Sequence, residues 1–473
     1  MRETDVVVVG AGLAGLCAAR AVLAAGRDAV VVEARDRVGG RLLNHELAAH
    51  PGKVVEIGGQ WAGPTQTALL DLARELGVDT YPTYNEGENV LEWRGGLKRY
   101  KGAIPRINPA ILADTLQAQK RLERLAKTVP TGAPWTAPRA RELDSMTFQT
   151  WLNRACATKG ARTLLELGCQ AVWAAEPADV SLLHVLFYIN SAGSFDDLVG
   201  TEGGAQDRRF VGGSQRVALR LAEELPEGAL VLGAPVRRIE HGDDGVVVHA
   251  DGDVRVRARR AIVALPPALT NRIIYAPPVP GYRDQLTQRT PQGTVWKCMA
   301  VYDRPFWRDQ GLTGQATSDR GPVRVTFDNS PPDGTPGVLL GFLEGDFARR
   351  AGRQDAGQRR AEVVDCFARF FGEAAHTPTE YVEQSWAEEE FTRGCYGCGM
   401  TTGAWTSFGE ALRAPIGPIS WAGAEVATTW SGYMDGAIRS GREAAAEALA
   451  ALQASSGPGS TVTAGLGRRS SAS

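Results

Sequence analysis

The chain has 473 residues, 43% of them hydrophobic and 22% charged, with a formal net charge of −2 at pH 7. That length predicts two domains, and interspersed acids and bases exclude the basic face that nucleic-acid binding requires. Seven scattered cysteines, an odd number, argue against a secreted disulfide framework and for a reducing cytoplasm. No apolar stretch reaches the length of a spanning helix and no secretory leader is visible, so no membrane partner is expected. No histidine pair has metal-ligand spacing and Cys395/Cys398 lacks a second CxxC, so no metal is assigned.

In chain order, Asp5–Val9 is a continuous β-branched run closed by Gly10. Ala11–Ala25 reads as a helix and Asp28–Val32 as a second strand, together a β-α-β unit with parallel strands. Prolines and polar residues over Thr128–Pro138 predict a surface loop between helical stretches. From Leu230 to Leu265, short β-branched segments separated by Asp243-Asp244-Gly245 and Asp251-Gly252-Asp253 predict a meander that returns to the parallel sheet. The tail from residue 454, essentially Ser455–Ser473, is too polar to bury and is expected to be disordered.

Gly10-x-Gly12-x-x-Gly15 lies at the strand-to-helix junction, where glycine allows a tight turn and a close backbone approach to a pyrophosphate. Glu33 ends the second strand 18 residues after Gly15, placed to accept from a ribose diol. The next run, Glu33-Ala-Arg35-Asp-Arg37-Val-Gly39-Gly40-Arg41, adds a glycine pair and three arginines that a nicotinamide site does not require.

That run, with Gly58-Gly59-Gln60-Trp61, resembles the flavin-containing monoamine oxidase family, and the similarity extends from Asp5 to about Leu449. Phe210-Val-Gly-Gly213, Ala264-Leu-Pro-Pro267, Thr294-Val-Trp-Lys-Cys298 and Trp421-Ala-Gly-Ala-Glu425 carry it independently. Thr428–Ala437, which contains Gly432-Tyr433-Met434, does so as well. The resemblance implies an α/β amine oxidase fold, with a Rossmann-like FAD domain and a second α+β substrate domain. The expected boundaries are 1–80, 205–285 and 390–453 for FAD, and 81–204 and 286–389 for substrate.

It further implies FAD as cofactor, contacted by Gly10, Gly12, Gly15, Glu33, Arg35, Gly40 and Arg41, and by Gly58, Gly59, Gln60 and Trp61. Val236, Trp386, Cys395, Glu425, Tyr433 and Met434 complete that expected set. Lys297 corresponds to the lysine that reaches flavin N5 through a water. Tyr396 and Tyr433, 37 residues apart, correspond to the aromatic pair that flanks the substrate amine. Cys395 stands 9 residues after Trp386, as does the cysteine that some members join to the flavin 8α-carbon, so a covalent link and a free buried thiol both stay open. Gly397-Cys398-Gly-Met departs from the usual Phe-Pro-Pro-Gly.

Ala171, Val172, Val199, Gln206 and Val325 are the implied pocket residues, and an inward-pointing Arg324 would favour a substrate carboxylate. The implied reaction converts an amine to an imine with O2 as electron acceptor and peroxide as product. A polyamine or amino-acid oxidase, a desaturase or amine dehydrogenase, and a non-catalytic FAD scaffold are the rival readings. A homodimer is left open.

Overall fold

The computed structural model describes residues 1–102, 105 and 107–454; the expected disordered tail therefore lies, but for Ala454, outside the described residues. Arg2–Val9 and Ala29–Val32 are parallel neighbours whose valines pair in register from Val6↔Ala29 to Val9↔Val32. Their inner residues are buried on both faces, which is why they read as unbroken β-branched runs rather than alternating ones. The helix between them spans Leu13–Ala24, slightly shorter than expected, because Gly10, Ala11 and Gly12 are spent on the turn.

The meander forms as expected from Val236–Gly242, Gly245–Ala250 and Val254–Val263, all antiparallel neighbours. Val254–Val263 is the long strand that joins it to the parallel sheet. One edge pairs with Arg2–Val9, while its last residues pair on the other edge with Ile419–Trp421. Alternate valines divide the sheet into two cores. Val6, Val8 and Val31 pack under the helices Leu13–Ala24 and Met434–Ala454, whereas Val7, Val9 and Val30 face the opposite layer.

A second sheet has seven strands, in the order Glu380–Ser385, Val295–Tyr302, Gly337–Glu344, Val325–Asp328, Leu312–Ser318, Glu88–Trp93, Gly96–Tyr100. One of its faces packs on the helix Ala356–Phe371 through Phe367, Phe370 and Phe371. The other carries Val295, Met299, Val301 and Phe342 against Leu47, Val55, Ile57 and Cys395, which belong to segments around the first sheet. Helices Pro109–Ala126, Phe148–Ala155, Lys159–Trp173 and Leu182–Ala192 build a separate all-helical core. The stretch expected as a surface loop is partly internal: Pro134–Thr136 is a 3-10 turn, and Val129 and Pro134 are buried because they cover that helical core. No helix among the described residues is long and apolar enough to cross a membrane.

Candidate active site

A cavity of about 1230 Å³ runs from the glycine turn to the second sheet. Pockets for a single drug-sized ligand occupy roughly 300–1,000 Å³, so this one has room for a dinucleotide with a small substrate beyond it. At its phosphate end stands the N-terminus of Leu13–Ala24, which no side chain caps and whose first turn carries no acid. Its free amides and positive dipole end suit an anion. A Cβ at Gly12 would meet nothing within 4 Å, an open cradle. Gly15 serves differently: a Cβ there would meet the Gly10 carbonyl oxygen at 1.9 Å, so the residue allows helix and turn to touch.

Glu33 is buried on the cavity wall, and its carboxylate is fixed there by accepting from the Ala11 N–H (2.6 Å) and the Arg35 N–H (2.9 Å). Arg35 is held by Thr392 (2.5 Å) and Glu389 (3.2 Å). Arg41 makes a two-pronged pair with Glu425, at 2.5 and 2.9 Å, and donates to the Tyr396 carbonyl at 2.8 Å. The carboxylate holds this guanidinium charged in spite of burial. An uncapped helix end, an open glycine cradle and a fixed acid beside two anchored arginines fit FAD.

Gly10, Gly12, Glu33, Arg35, Gly40, Arg41, Gly58, Gly59, Gln60, Trp61, Val236, Cys395, Tyr433 and Met434 all line the cavity. Gly15, Trp386 and Glu425 do not; they stand behind it. Trp386 is buried and donates to the Ile57 carbonyl at 2.7 Å, clamping the segment that leads into Gly58-Gly59.

Lys297 projects from the middle of Val295–Tyr302 into the apolar face that meets the first sheet, and only 4% of it is exposed. Its Nζ donates to the Gly58 carbonyl at 2.8 Å and to Gln60 Oε1. Gln60 in turn donates to Asn329 at 2.7 Å. Burial lowers its pKa to about 7, opposed by the Glu56 carboxylate and aided by Arg209. Trp296, next in sequence, packs on the opposite face of the sheet, and the aromatic rings beside Nζ are those of Trp61 and Phe342, with centres 5.8 and 5.9 Å away.

Tyr396 packs on Phe342 with ring centres 6.0 Å apart, and Tyr433 packs on Trp430 at 4.9 Å and Tyr188 at 6.0 Å. Both line the cavity, and burial raises both phenols, so they stay neutral. Gly432, at φ +81°, is compelled here, since a Cβ would meet the Tyr188 hydroxyl at 2.2 Å. Cys395 is a buried free thiol on the cavity wall, pushed up to about 12 by burial, with Arg41 opposing. Cys398 is buried and lies off the cavity.

Ala171, Val172, Val199, Gln206 and Val325 line the far end. Arg324 does not reach it: its Nη1 donates to Gln170 at 2.6 Å and its Nε to the Ser318 carbonyl at 3.3 Å, so the inward orientation that would have favoured a substrate carboxylate is not adopted. The reading of the sequence missed Tyr188, Phe342 and Glu344 on the cavity wall. Glu344 had a signal, as the one acid ending the apolar strand GVLLGFLE.

A dinucleotide cradle opening onto an aromatic pocket, with a buried lysine on the shared wall, defines a flavoprotein oxidoreductase. The sequence profile of the flavin-containing amine oxidoreductases matches residues 13–449, and the chain belongs to that family. It is similar to AofH of Mycobacterium tuberculosis, named as a flavin-containing monoamine oxidase, with 44% identity over 95% of this chain and 97% of that one. Flavin-containing amine oxidase B of Mus musculus is 36% identical over 95% and 87%. Among solved structures, a putrescine oxidase bound to putrescine superposes with a TM-score of 0.91 at 37% identity, covering 95% of this chain and 99% of that one. Cyclohexylamine oxidase from Brevibacterium oxydans IH-35A does so with 0.91 at 33%, over the same shares. The protein is therefore an FAD-dependent amine oxidoreductase with the amine oxidase fold.

Proposed function

We propose that the cavity oxidises a primary or secondary amine held between Tyr396 and Tyr433, with O2 as electron acceptor and hydrogen peroxide as product. Bound FAD supplies the hydride acceptor and the path of electrons to oxygen. The observation that carries the reading is that Lys297, bonded to Gly58 and Gln60, lines the same cavity as Tyr396 and Tyr433.

The aromatic faces exclude water and favour the neutral amine, whose lone pair must be free when hydride leaves its carbon. The cavity-lining set named above is the binding site, with Gly15, Trp386 and Glu425 as supports. Lys297, bonded to Gly58 and Gln60, is fixed where a cation steadies charge developing on oxygen. The imine leaves and hydrolyses to an aldehyde or ketone, with ammonia from a primary amine or the remaining primary amine from a secondary one.

Residues 1–80, 205–285 and 390–453 are the FAD domain in this reading, and 81–204 with 286–389 the substrate domain. Strand membership supports the division, since every strand of the first large sheet falls in the former set and every strand of the second in the latter. Cys395 is the candidate for a thioether to the flavin. In support, one solved putrescine oxidase had its cofactor binding redesigned by a single alanine-to-cysteine substitution.

The test is anaerobic mixing of the yellow protein with monoamines, diamines, polyamines and amino acids. Amines are expected to bleach the flavin and, on admission of air, to yield one peroxide per imine. A flavin that no amine bleaches would overturn the reading.

A further inference from the structure

We propose that Glu344 anchors a second cationic group of the substrate, so that the cavity takes α,ω-diamines in preference to monoamines of equal length. The proposal rests on the reading above and deepens it by naming the substrate class.

Glu344 ends the strand Gly337–Glu344, all eight residues of which are buried, and it is the only charged one. It lines the cavity and is 5% exposed. Its Oε1 accepts from the Tyr396 hydroxyl at 2.8 Å, and its Oε2 receives no hydrogen bond among the described residues. No lysine or arginine among them lies within 4.0 Å of its carboxylate. The nearby cation, Arg324, is engaged with Gln170 and Ser318. The nearby acid, Glu176, accepts from Gln170 and from the Asp346 N–H.

A buried carboxylate is found paired, because an uncompensated charge in an apolar setting is costly. Among the described residues the protein supplies one neutral donor and no ion-pair partner, on a cavity wall that also carries Tyr396 and, packed on it, Phe342. The molecules this protein oxidises bring the missing charge, since an alkylamine is an ammonium ion at neutral pH.

The geometry decides which nitrogen Glu344 meets. Glu344 stands at the hydroxyl edge of Tyr396, whereas the proposed reaction places the reacting nitrogen over the ring face. The reacting nitrogen must also be neutral, and a carboxylate beside it would hold its proton. The charge Glu344 takes is therefore elsewhere on the substrate, at the end of an alkyl chain that the apolar wall accommodates. Burial pushes the Glu344 carboxyl up to about 7, with the Tyr396 hydroxyl and Arg324 pulling it down and Glu176 pushing it up. The anchor is thus ionised above about pH 7 and is lost as pH falls through that value.

The experiment compares kcat/KM for 1,4-diaminobutane and 1,5-diaminopentane with that for butylamine and pentylamine, in the holoenzyme and its Glu344→Gln variant, from pH 6 to 9. The unmodified protein is expected to favour the diamines by about tenfold or more above pH 7, a ratio that collapses below it. Glu344→Gln, which keeps an acceptor for Tyr396, is expected to bring the ratio to near one at every pH, chiefly through KM. Flavin absorbance and anaerobic bleaching by pentylamine check that the variant is folded. If it is not, Glu344→Asp, which retains the charge on a shorter stem, is expected to retain part of the preference and its pH dependence. Monoamine oxidation with no diamine preference, or a preference that survives Glu344→Gln, overturns the assignment of Glu344 alone. Failure of every amine to bleach the flavin overturns it together with the reading on which it rests.

Discussion

Lys297 is the residue on which folding and reactivity pull hardest against each other. Its ammonium loses water in the apolar face around Val295 and Met299, and recovers only the Gly58 carbonyl and Gln60 Oε1 as acceptors. The charged form dominates below about pH 7 and is lost as pH rises through that value. The reaction of reduced enzyme with O2 is therefore expected to slow as pH rises through about 7. Lys297→Met is expected to slow reoxidation by roughly 10²-fold or more, the scale of losing one preorganised electrostatic donor, while slowing anaerobic reduction far less. Stopped-flow measurement of the two half-reactions checks this, and equal slowing of both would remove the role.

Cys395 makes a second residue-level prediction. A thiol pushed up to about 12 is a poor nucleophile, so any bond to the flavin depends on its closeness to the ring, with the nearby Arg41 and Lys297 charges drawing the thiolate down. Acid precipitation of the holoenzyme is expected to leave the chromophore on a peptide containing Cys395, while Cys395→Ala binds FAD reversibly. Complete release of flavin from the unmodified protein makes Cys395 a neighbour only. Cys398→Ala, altering a buried thiol off the cavity, is expected to keep the attachment.

At the scale of elements, the glycine turn has no slack. In Gly15→Ala the new methyl would stand 1.9 Å from the Gly10 oxygen, so the helix Leu13–Ala24 has to move away from the turn that orients its amides. A loss of about 1–3 kcal/mol of stability is expected, as for other overpacked sites, with weaker FAD binding; thermal melts and flavin titration measure the two. The loop holding Glu425 supports Arg41 in the same way. Glu425→Gln preserves shape but removes the charge that two guanidinium nitrogens face, and is expected to cost about 2 kcal/mol. The readout is a rise in the FAD dissociation constant, measured in a Cys395→Ala background if the link is covalent. Part of this was legible in advance, since Gly10, Gly12 and Glu33 declare themselves by spacing. The meander was legible because its turn sequences and β-branched runs are local signals. The internal course of Thr128–Pro138 was not, because polar composition reports solvent preference and not that Val129 and Pro134 are needed to close the helical core.

Across the whole molecule, the cavity draws its walls from both large sheets and from the helical core, so FAD bound in it would touch segments far apart in the chain. Ligand that binds only the folded state stabilises it, by about 2.7 kcal/mol at a hundredfold excess over its dissociation constant. FAD-free Cys395→Ala protein is accordingly expected to melt several degrees lower than the same protein reloaded, and an unchanged melting temperature would contradict the placement. By itself the sequence determined the β-α-β unit and the cofactor class, and it singled out Lys297, Tyr396, Tyr433 and Cys395, all of which line the cavity. Each of these is written in local spacing or in a contiguous motif resembling a known family. Only the tertiary structure decided that Arg324 turns to Gln170 and Ser318 rather than to the cavity. It alone showed that Glu425 stands behind Arg41, and that Glu344 enters the pocket with no ion-pair partner among the described residues. Those outcomes depend on which face of a strand meets which neighbour, and on whether a partner more than a hundred residues away satisfies a charge. Neither is encoded in the residues alongside.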